Sequence, residues 1–162
     1  MTTHRSGSEA SRGQPARVSV RKVRRTDLER IVAIDTKVTG IAKDDYWHAI
    51  FHRYGRGNRP ERHFLVAEFA GQVVGFVIGE VRDWEFGEPP CGWVFAIDVQ
   101  PEHRLHGVAS VLLRALCDAM RRSGVRKLRT ILARDDMLIL SFFRSQGMRT
   151  GPFVPLEMDL DD

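Results

Sequence analysis

The stretch from Cys91 to Gly124 constrains the fold most strongly, because it joins a buried strand to a helix through a short turn. Residues 91–99, CGWVFAIDV, are almost all apolar or β-favouring, as expected of a central strand covered on both faces. From Val108 to Met120, apolar residues recur at alternating steps of three and one, which predicts a helix with one buried stripe. Gly124 is typical of the residue that follows a helix end. The sequence therefore predicts a strand, a turn and a helix at the centre of the molecule.

Further strand and helix patterns surround this unit. Thr26 stands three residues before Glu29, the spacing of a capping box, which predicts that a helix begins here. Two apolar runs on either side of Ala70–Gln72 predict a hairpin of adjacent strands. We expect strands at 17–23, 63–69, 73–81, 91–99, 127–132 and 153–160, and helices from Thr26, within 44–54, from Val108 and within 135–146. This order predicts a mixed α/β fold without internal repeats or a second domain.

Composition and charge favour one globular domain and argue against several classes of protein. The 162 residues are 43% apolar and 28% charged, which suffices for one hydrophobic core. The net charge of +4 is uneven, because residues 1–25 hold seven Lys and Arg but one acidic residue. We therefore predict a disordered basic tail at 1–17 and a single domain at 18–162, and expect no nucleic acid partner unless the tail provides one. Two cysteines and no membrane-length apolar run predict a cytoplasmic protein without membrane contact.

The turn between the predicted strand and helix has the features of an anion site. The first amides of a helix have no partner within it, and the helix dipole favours negative charge there. Gly107 and Ala109 let a ligand approach the backbone closely, while Arg104, His103 and His106 add charge or donors. A diphosphate fits such a turn. The sequence contains neither the G-x-x-x-x-G-K-[ST] pattern of triphosphate sites nor the G-x-G-x-x-G pattern of dinucleotide sites.

Two blocks of the sequence resemble one known family. Arg104-x-x-Gly107-x-Ala109 is similar to the [QR]-x-x-G-x-[GA] signature of the GNAT superfamily of N-acetyltransferases, and it lies between a strand and a helix as that signature does. Residues 136–148, DMLILSFFRSQGM, occupy the place of the family's second block, N-x-x-A-x-x-[FL]-Y-x-x-x-G-F. The resemblance runs from Val18 to Leu160. It implies a mixed, mostly antiparallel sheet flanked by about four helices, with acetyl-CoA as co-substrate and no metal.

The resemblance also implies which residues contact acetyl-CoA. Backbone groups of the central strand would pair with the pantetheine arm, and the turn would cradle the pyrophosphate. These residues are Ile97, Asp98 and Val99 of the strand, and Arg104, Leu105, His106, Gly107, Val108, Ala109 and Ser110 of the turn. Asp136 stands where the family usually has Asn, and Phe143 where many members have a tyrosine thought to protonate the departing thiolate. Phenylalanine cannot supply that proton.

Transfer to an amine also requires a base. A lysine-like amine has a pKa of about 10.4, so its deprotonation at neutral pH costs about 4 kcal/mol without help. The glutamate that serves the histone acetyltransferase branch corresponds here to about Trp93, which cannot act as a base. Acidic residues flank the break before the central strand: Glu80, Asp83, Glu85 and Glu88. We predict that Glu85 is the base, because Trp84 and Phe86 are expected to bury it and raise its pKa.

The central strand offers two further catalytic groups. Asp98 is another candidate base, although strand alternation predicts that it faces away from Trp93 and Ile97. The backbone N–H of Val99 is expected to stabilise the oxyanion that develops during transfer.

The acceptor and the activity itself leave alternatives open. FFRSQGM, residues 142–148, is similar to YFKKQGF of the histone acetyltransferase branch, and the acidic aromatic run Asp44–Trp47 suits a cationic amine, so protein lysine is slightly preferred over a small amine. His48 and His52 have a helical spacing that can chelate metal, but no metal is expected. The alternative function is an acyl-CoA sensor that has lost catalysis. It is suggested by Phe143, which replaces an expected proton donor, and by Trp93, which replaces an expected base. A homodimer is left open.

Overall fold

The computed structural model describes residues 17–160, so the predicted basic tail lies almost wholly outside the described residues. The elements are β1 (Ser19–Lys22), α1 (Leu28–Thr39), α2 (Asp44–Ile50), β2 (Arg62–Phe69), β3 (Gln72–Arg82), β4 (Cys91–Val99), α3 (Val108–Arg122), β5 (Leu128–Thr130) and α4 (Met137–Ser145). Short 3-10 turns at 25–27, 85–87 and 101–103 and a π turn at 51–55 complete them. Each predicted helix is present, and each predicted strand but the last.

One sheet runs through the described chain in the order β1-β2-β3-β4-β5. β1 to β4 are antiparallel neighbours, and β5 lies parallel to β4. The predicted β2–β3 hairpin is confirmed, and it closes at Ala70 and Gly71, whose φ angles of 50° and 76° match the two central residues of a type I′ turn. The parallel pair needs a crossover connection, which α3 supplies. The fold is the mixed, mostly antiparallel sheet with four helices that the sequence predicts.

Each face of the sheet carries its own hydrophobic core. On one face α1 and α2 pack against the sheet through residues such as Ile31, Trp47 and Phe64. On the other face the stripe of α3 is buried at Leu112 and Leu116, and α4 contributes to the same core. Because helices cover both faces, the central strands are apolar over most of their length.

The first helix begins differently from the expectation. α1 begins at Leu28, and no side chain caps it, so the predicted capping box of Thr26 and Glu29 is wrong. The carboxylate of Asp27 instead accepts the backbone N–H of Arg24 at 2.6 Å and pairs with the Arg21 guanidinium at 2.8 Å. Asp27 therefore fixes the 3-10 turn that precedes the helix, because it satisfies a backbone donor and an ion pair together.

The predicted closing strand at 153–160 is also wrong. Residues 153–160 lie outside every strand of the described chain. Its alternate residues Val154, Leu156, Met158 and Leu160 are 74%, 92%, 82% and 86% exposed. The alternation of apolar and polar residues predicts a strand with one apolar face, but a strand also needs a sheet edge to pair with. In this structure the chain does not bring residues 153–160 into register with an edge of the sheet.

A bulge in β4 shapes the end of the sheet. Val94 and Ala96 pair with consecutive residues of β3, so Phe95 is the extra residue of a β-bulge. Opposite the bulge, a Cβ on Gly79 would lie 2.6 Å from the carbonyl oxygen of Trp93, so this close approach of the two strands requires glycine. β5 pairs with β4 as far as Val94, and beyond the bulge the outer edge of β4 is open.

The same bulge changes which residues share a face. Trp93 pairs with Glu80 and Asp98 pairs with Phe76, and the two β3 partners lie on one face because they are four residues apart. Asp98 therefore lies on the same face as Trp93, toward α1 and α2, and the expectation that they face opposite ways is wrong. Ile97 does face the other way. The extra residue, which the sequence pattern does not reveal, shifts the alternation by one.

Candidate active site

Two clefts meet at the open end of β4. The first, of about 550 Å³, extends from the front of α3 to Ile97 and Asp98, with Lys37 and Val38 of α1 along it. All the residues predicted to contact acetyl-CoA line this cleft except His106 and Phe143. The structure therefore brings the turn and the strand of the sequence prediction to one surface.

The turn at the front of α3 presents its backbone amides to the first cleft. Leu105 and Gly107 adopt left-handed backbone with φ of 63° and 77°, the kind of turn in which successive N–H groups form an anion-binding concavity. At the front of α3, the first amide that donates to a backbone carbonyl within the described chain is that of Val111, and its acceptor is Gly107. The amides of residues 105–110 are therefore available to a ligand. This donor set fits a pyrophosphate.

The open edge of β4 adds backbone groups to the same cleft. Gln100 donates to the carbonyl of Val74 at 2.8 Å, which makes them a hydrogen-bonded pair of the antiparallel ladder. Alternation then directs the N–H and C=O of Val99 and Ile97 away from β3. Because β5 pairs only as far as Val94, these groups face open space. The Val99 carbonyl accepts from Arg104 Nε at 3.2 Å, which holds the guanidinium where strand and turn meet.

The second cleft, of about 280 Å³, opens between the separating strands β4 and β5 on the side of α2. Its lining includes two carboxylates, one lysine and several aromatic rings: Asp35, Asp98, Lys43, Tyr46, Trp47, Phe95 and Phe143. Ile97, Asp98 and Ile139 line both clefts. A molecule in one cleft therefore reaches a molecule in the other beside Asp98.

Asp98 has a strongly altered acidity. Burial is the main cause that raises its pKa to about 6, and the nearby carboxylate of Asp35 raises it further. The cations of Arg104 and Lys43 oppose the shift. A carboxylate with this pKa is mostly ionised at neutral pH and accepts a proton more readily than an ordinary aspartate.

Asp35, which the sequence interpretation missed, organises the second cleft. Asp35 is 3% exposed, and its carboxylate accepts from Trp47 Nε1 at 2.8 Å and from Lys43 Nζ at 3.1 Å. One signal was present in the sequence. Asp35 falls on the apolar stripe of α1, beside Ile31 and Ile34, where a charged residue needs a partner.

Comparison with known proteins identifies the family. Residues 28–148 match the model described as the acetyltransferase (GNAT) family, and this range contains the lining of both clefts. The chain belongs to the GNAT acetyltransferase family. GNAT enzymes use acetyl-CoA and no metal.

Individual GNAT relatives are distant. The chain is 32% identical over 87 residues to the L-2,4-diaminobutyric acid acetyltransferase of Nocardia farcinica, a match that covers 54% of this chain and 44% of that protein. It therefore spans less than half the length of this relative. Among solved structures it is similar to aminoglycoside N-acetyltransferase AAC(6')-Iy in complex with CoA, with TM-score 0.79, 19% identity and coverage of 94% and 99% of the two chains. The ribosomal-protein-alanine N-acetyltransferase of Brucella melitensis matches with TM-score 0.71, 19% identity and coverage of 89% and 100%.

Two positions, Asp136 and Phe143, depart from the usual GNAT pattern, and a third, Trp93, departs from the histone acetyltransferase branch. Asp136 lines the first cleft, and its carboxylate also accepts the Ile139 N–H at 3.1 Å as the cap of α4. Phe143 is 4% exposed and lines the second cleft, and its own ring carries no hydroxyl. Trp93 is 8% exposed, with the guanidinium of Arg82 over its ring at 5.1 Å.

Two of the predicted site residues lie outside both clefts. Glu85 is in the turn before β4, and its carboxylate lies 3.7 Å from the Arg82 guanidinium. Trp84 and Phe86 are 69% and 68% exposed and both have left-handed backbone. Glu85 is nevertheless half-buried and its Oε2 atom is buried, so the expectation that the two rings bury it stays a prediction. His106 is exposed. The catalytic role of Glu85 stays a prediction.

His48 and His52 are both exposed, and His52 Nδ1 lies 2.9 Å from Arg56 Nη1. Residues 17–160 contain no group of three His, Cys, Asp or Glu side chains that could hold a metal ion. Within the same residues, every helix is too short or too polar to cross a membrane.

Proposed function

We propose that the protein transfers the acetyl group of acetyl-CoA to a primary amine of a small cationic molecule. The observation that carries this proposal is the meeting of two clefts at Asp98, one built of backbone donors and the other containing two carboxylates. The names of the diaminobutyrate and aminoglycoside relatives support a small amine. These two names do not support the slight preference for protein lysine. A protein acceptor is the second candidate, because one of the fold neighbours is named as a ribosomal-protein-alanine N-acetyltransferase.

Acetyl-CoA binding is assigned to the first cleft. The amides of Leu105 to Ser110 would hold the pyrophosphate, and Arg104, placed by its bond to the Val99 carbonyl, would add positive charge. The backbone of Ile97 and Val99 would pair with the pantetheine arm as an added strand does. The thioester would then lie beside Asp98, where the second cleft begins.

The acceptor amine is assigned to the second cleft. Asp35 and Asp98 supply negative charge that attracts an ammonium group, and Tyr46 and Trp47 supply rings that contact its carbon chain. Asp98 would accept the proton of the ammonium, because its pKa of about 6 lies closer to neutral pH than that of an ordinary aspartate. The neutral nitrogen then attacks the thioester carbon. Glu85 is the competing base.

The backbone would stabilise the negative charge that develops on the thioester oxygen. The N–H of Val99 points out of the sheet edge, so it can donate to that oxygen without any change in the strand. Phe143 stands in the place of the usual proton donor and has no proton to give. The departing sulfur therefore takes its proton from solvent or from the attacking nitrogen.

Acceptor-dependent release of the CoA thiol tests this function. The purified chain is incubated with acetyl-CoA and with diamines, diamino acids, aminoglycosides or lysine peptides, and acetyl-CoA binding is measured separately by calorimetry. We expect thiol release with small cationic amines. Release only with peptides would replace the proposed acceptor class by protein. Acetyl-CoA binding without release on the whole panel would instead favour the sensor alternative.

A further inference from the structure

Lysine is a rare residue in this chain, which contains four lysines and 21 arginines. Lys22 and Lys127 are exposed on the two edges of the sheet, on β1 and immediately before β5. Lys37 lines the first cleft, where its ammonium pairs with Glu102 at 2.8 Å. Lys43 lines the second cleft. It is therefore the one lysine of the chain that lies in the cleft assigned to the acceptor amine.

Lys43 is held in the way that the acceptor is expected to be held. The residue lies immediately before α2, and its Nζ lies 3.1 Å from Oδ1 and 3.0 Å from Oδ2 of Asp35. The same ammonium lies 5.6 Å from the centroid of the Tyr46 ring. A carboxylate and an aromatic ring are groups that recognise an ammonium, and both residues are assigned above to the acceptor. Lys43 therefore presents its own amine at the position of the acceptor.

The Lys43 amine also lies within reach of the point where the two clefts meet. Asp98 lines both clefts, and although burial chiefly raises the pKa of Asp98, the nearby cation of Lys43 acts against this rise. The Lys43 side chain is 34% exposed and has a flexible four-carbon stem, so it can turn from Asp35 toward Asp98 without a change in the backbone. An amine attached to the protein beside the thioester also reacts at a high effective concentration.

We propose that Lys43 is an internal acceptor, and that the protein acetylates it from acetyl-CoA when no free amine occupies the second cleft. This inference rests on the proposed function, because it uses the same two clefts and the same base. The Lys43 ammonium gives one proton to the Asp98 carboxylate, and the neutral Nζ attacks the thioester carbon. The carbon–sulfur bond then breaks, and a second proton passes from the nitrogen to the departing sulfur. The products are free CoA and an amide on Lys43.

Mass spectrometry of the full chain, incubated with acetyl-CoA and no added acceptor, tests the inference. We expect a gain of one acetyl group, located on Lys43 after digestion with a protease that does not cut at lysine. Lys43 should react at least about tenfold faster than the exposed Lys22 and Lys127, because only its amine lies beside the thioester. The rate constant should be independent of protein concentration, since the amine and the site belong to one molecule.

Variants of the same chain sharpen this measurement. Lys43→Arg keeps a cation for Asp35 but removes the amine, so the acetylated product should disappear, whereas the matched control Lys22→Arg should react at the wild-type rate. Asp98→Asn should slow the acetylation of Lys43 at least about 100-fold, because the base is lost. A small cationic amine that occupies the second cleft should also slow it, by competition.

Two results would overturn the inference by themselves. Equal acetylation of Lys22, Lys43 and Lys127 would indicate unassisted chemical modification, and a rate constant proportional to protein concentration would indicate transfer between molecules. Release of the CoA thiol with small cationic amines is measured on the same preparation. Release with an unmodified Lys43 would overturn self-acetylation and leave the proposed function standing. Acetyl-CoA binding with neither thiol release nor a modified Lys43 would remove both.

Discussion

The two clefts of the candidate active site are built by different means. The cleft for acetyl-CoA consists largely of backbone groups, namely the amides at the front of α3 and the open edge of β4. The second cleft depends on side chains, chiefly the carboxylates of Asp35 and Asp98 and the rings of Tyr46 and Trp47. Backbone donors need only a conformation, whereas a carboxylate pair needs particular residues in particular surroundings. The first cleft suits a ligand common to a whole family, and the second can differ from member to member.

The largest effect on the first cleft is expected from Gly107→Glu. The substitution places a side chain at a left-handed position and an anion against the bound phosphates, so acetyl-CoA affinity should fall at least about 100-fold. Titration calorimetry measures the affinity. Gly71→Glu is the matched control, since Gly71 has φ of 76° and equally open space but lies in the β2–β3 turn. Equal affinities of the two variants would show that the turn does not bind the coenzyme.

The buried carboxylate of the second cleft should destabilise the fold. The pKa of Asp98 is about 6 in the folded chain and about 3.9 when unfolded, so the folded state holds the extra proton between these values. Stability should therefore fall as pH rises from about 4 through about 6, and the cost persists above that. Asp98→Asn should raise the free energy of unfolding at pH 8 by up to about 3 kcal/mol and change it less at pH 5, as measured by urea denaturation. A gain that is larger at pH 5 would contradict this sign.

A smaller effect, on the binding of the acceptor in the second cleft, is expected from Asp35→Asn. Asp35→Asn removes a negative charge and leaves Lys43 without its carboxylate partner, so the KM for a cationic acceptor should rise about tenfold while acetyl-CoA affinity stays unchanged. Steady-state kinetics on folded protein provide the measurement. Asp44→Asn is the control, because Asp44 is an exposed acid on α2 that lies outside both cleft linings. A tenfold loss in the control as well would point to general electrostatics.

The smallest effect is expected at Glu85. It lies outside both clefts, so Glu85→Gln should change kcat/KM by less than about twofold at every pH. A pH–rate profile that lost its acidic limb in this variant would restore Glu85 as the base and remove Asp98 from that role.

The contrast between a cleft built of backbone groups and a cleft built of side chains also explains how much of the fold and of the site could be predicted from the sequence. The buried strand, the striped helix and the glycine turn leave local marks, and the residues chosen from Ile97 to Ser110 line the first cleft with the exception of His106. The prediction of which sheet face Asp98 occupies was wrong because Phe95 adds one residue to β4. A bulge of this kind depends on the pairing of two strands and leaves no mark in the sequence of one. Asp35 joins the second cleft through contacts with Lys43 and Trp47, which only the packing of α1 against α2 creates. The prediction of a closing strand failed because alternation does not tell whether the chain brings the segment to an open sheet edge.

The most direct test of the account is to measure acetyl-CoA affinity and acceptor-dependent turnover side by side in the Asp98→Asn variant. The account predicts that kcat/KM falls at least about 100-fold and that the acidic limb near pH 6 disappears, while the Kd for acetyl-CoA changes by less than about twofold. Turnover that survives the substitution, or a Kd that weakens in step with turnover, would contradict the proposal that Asp98 serves the amine where the two clefts meet.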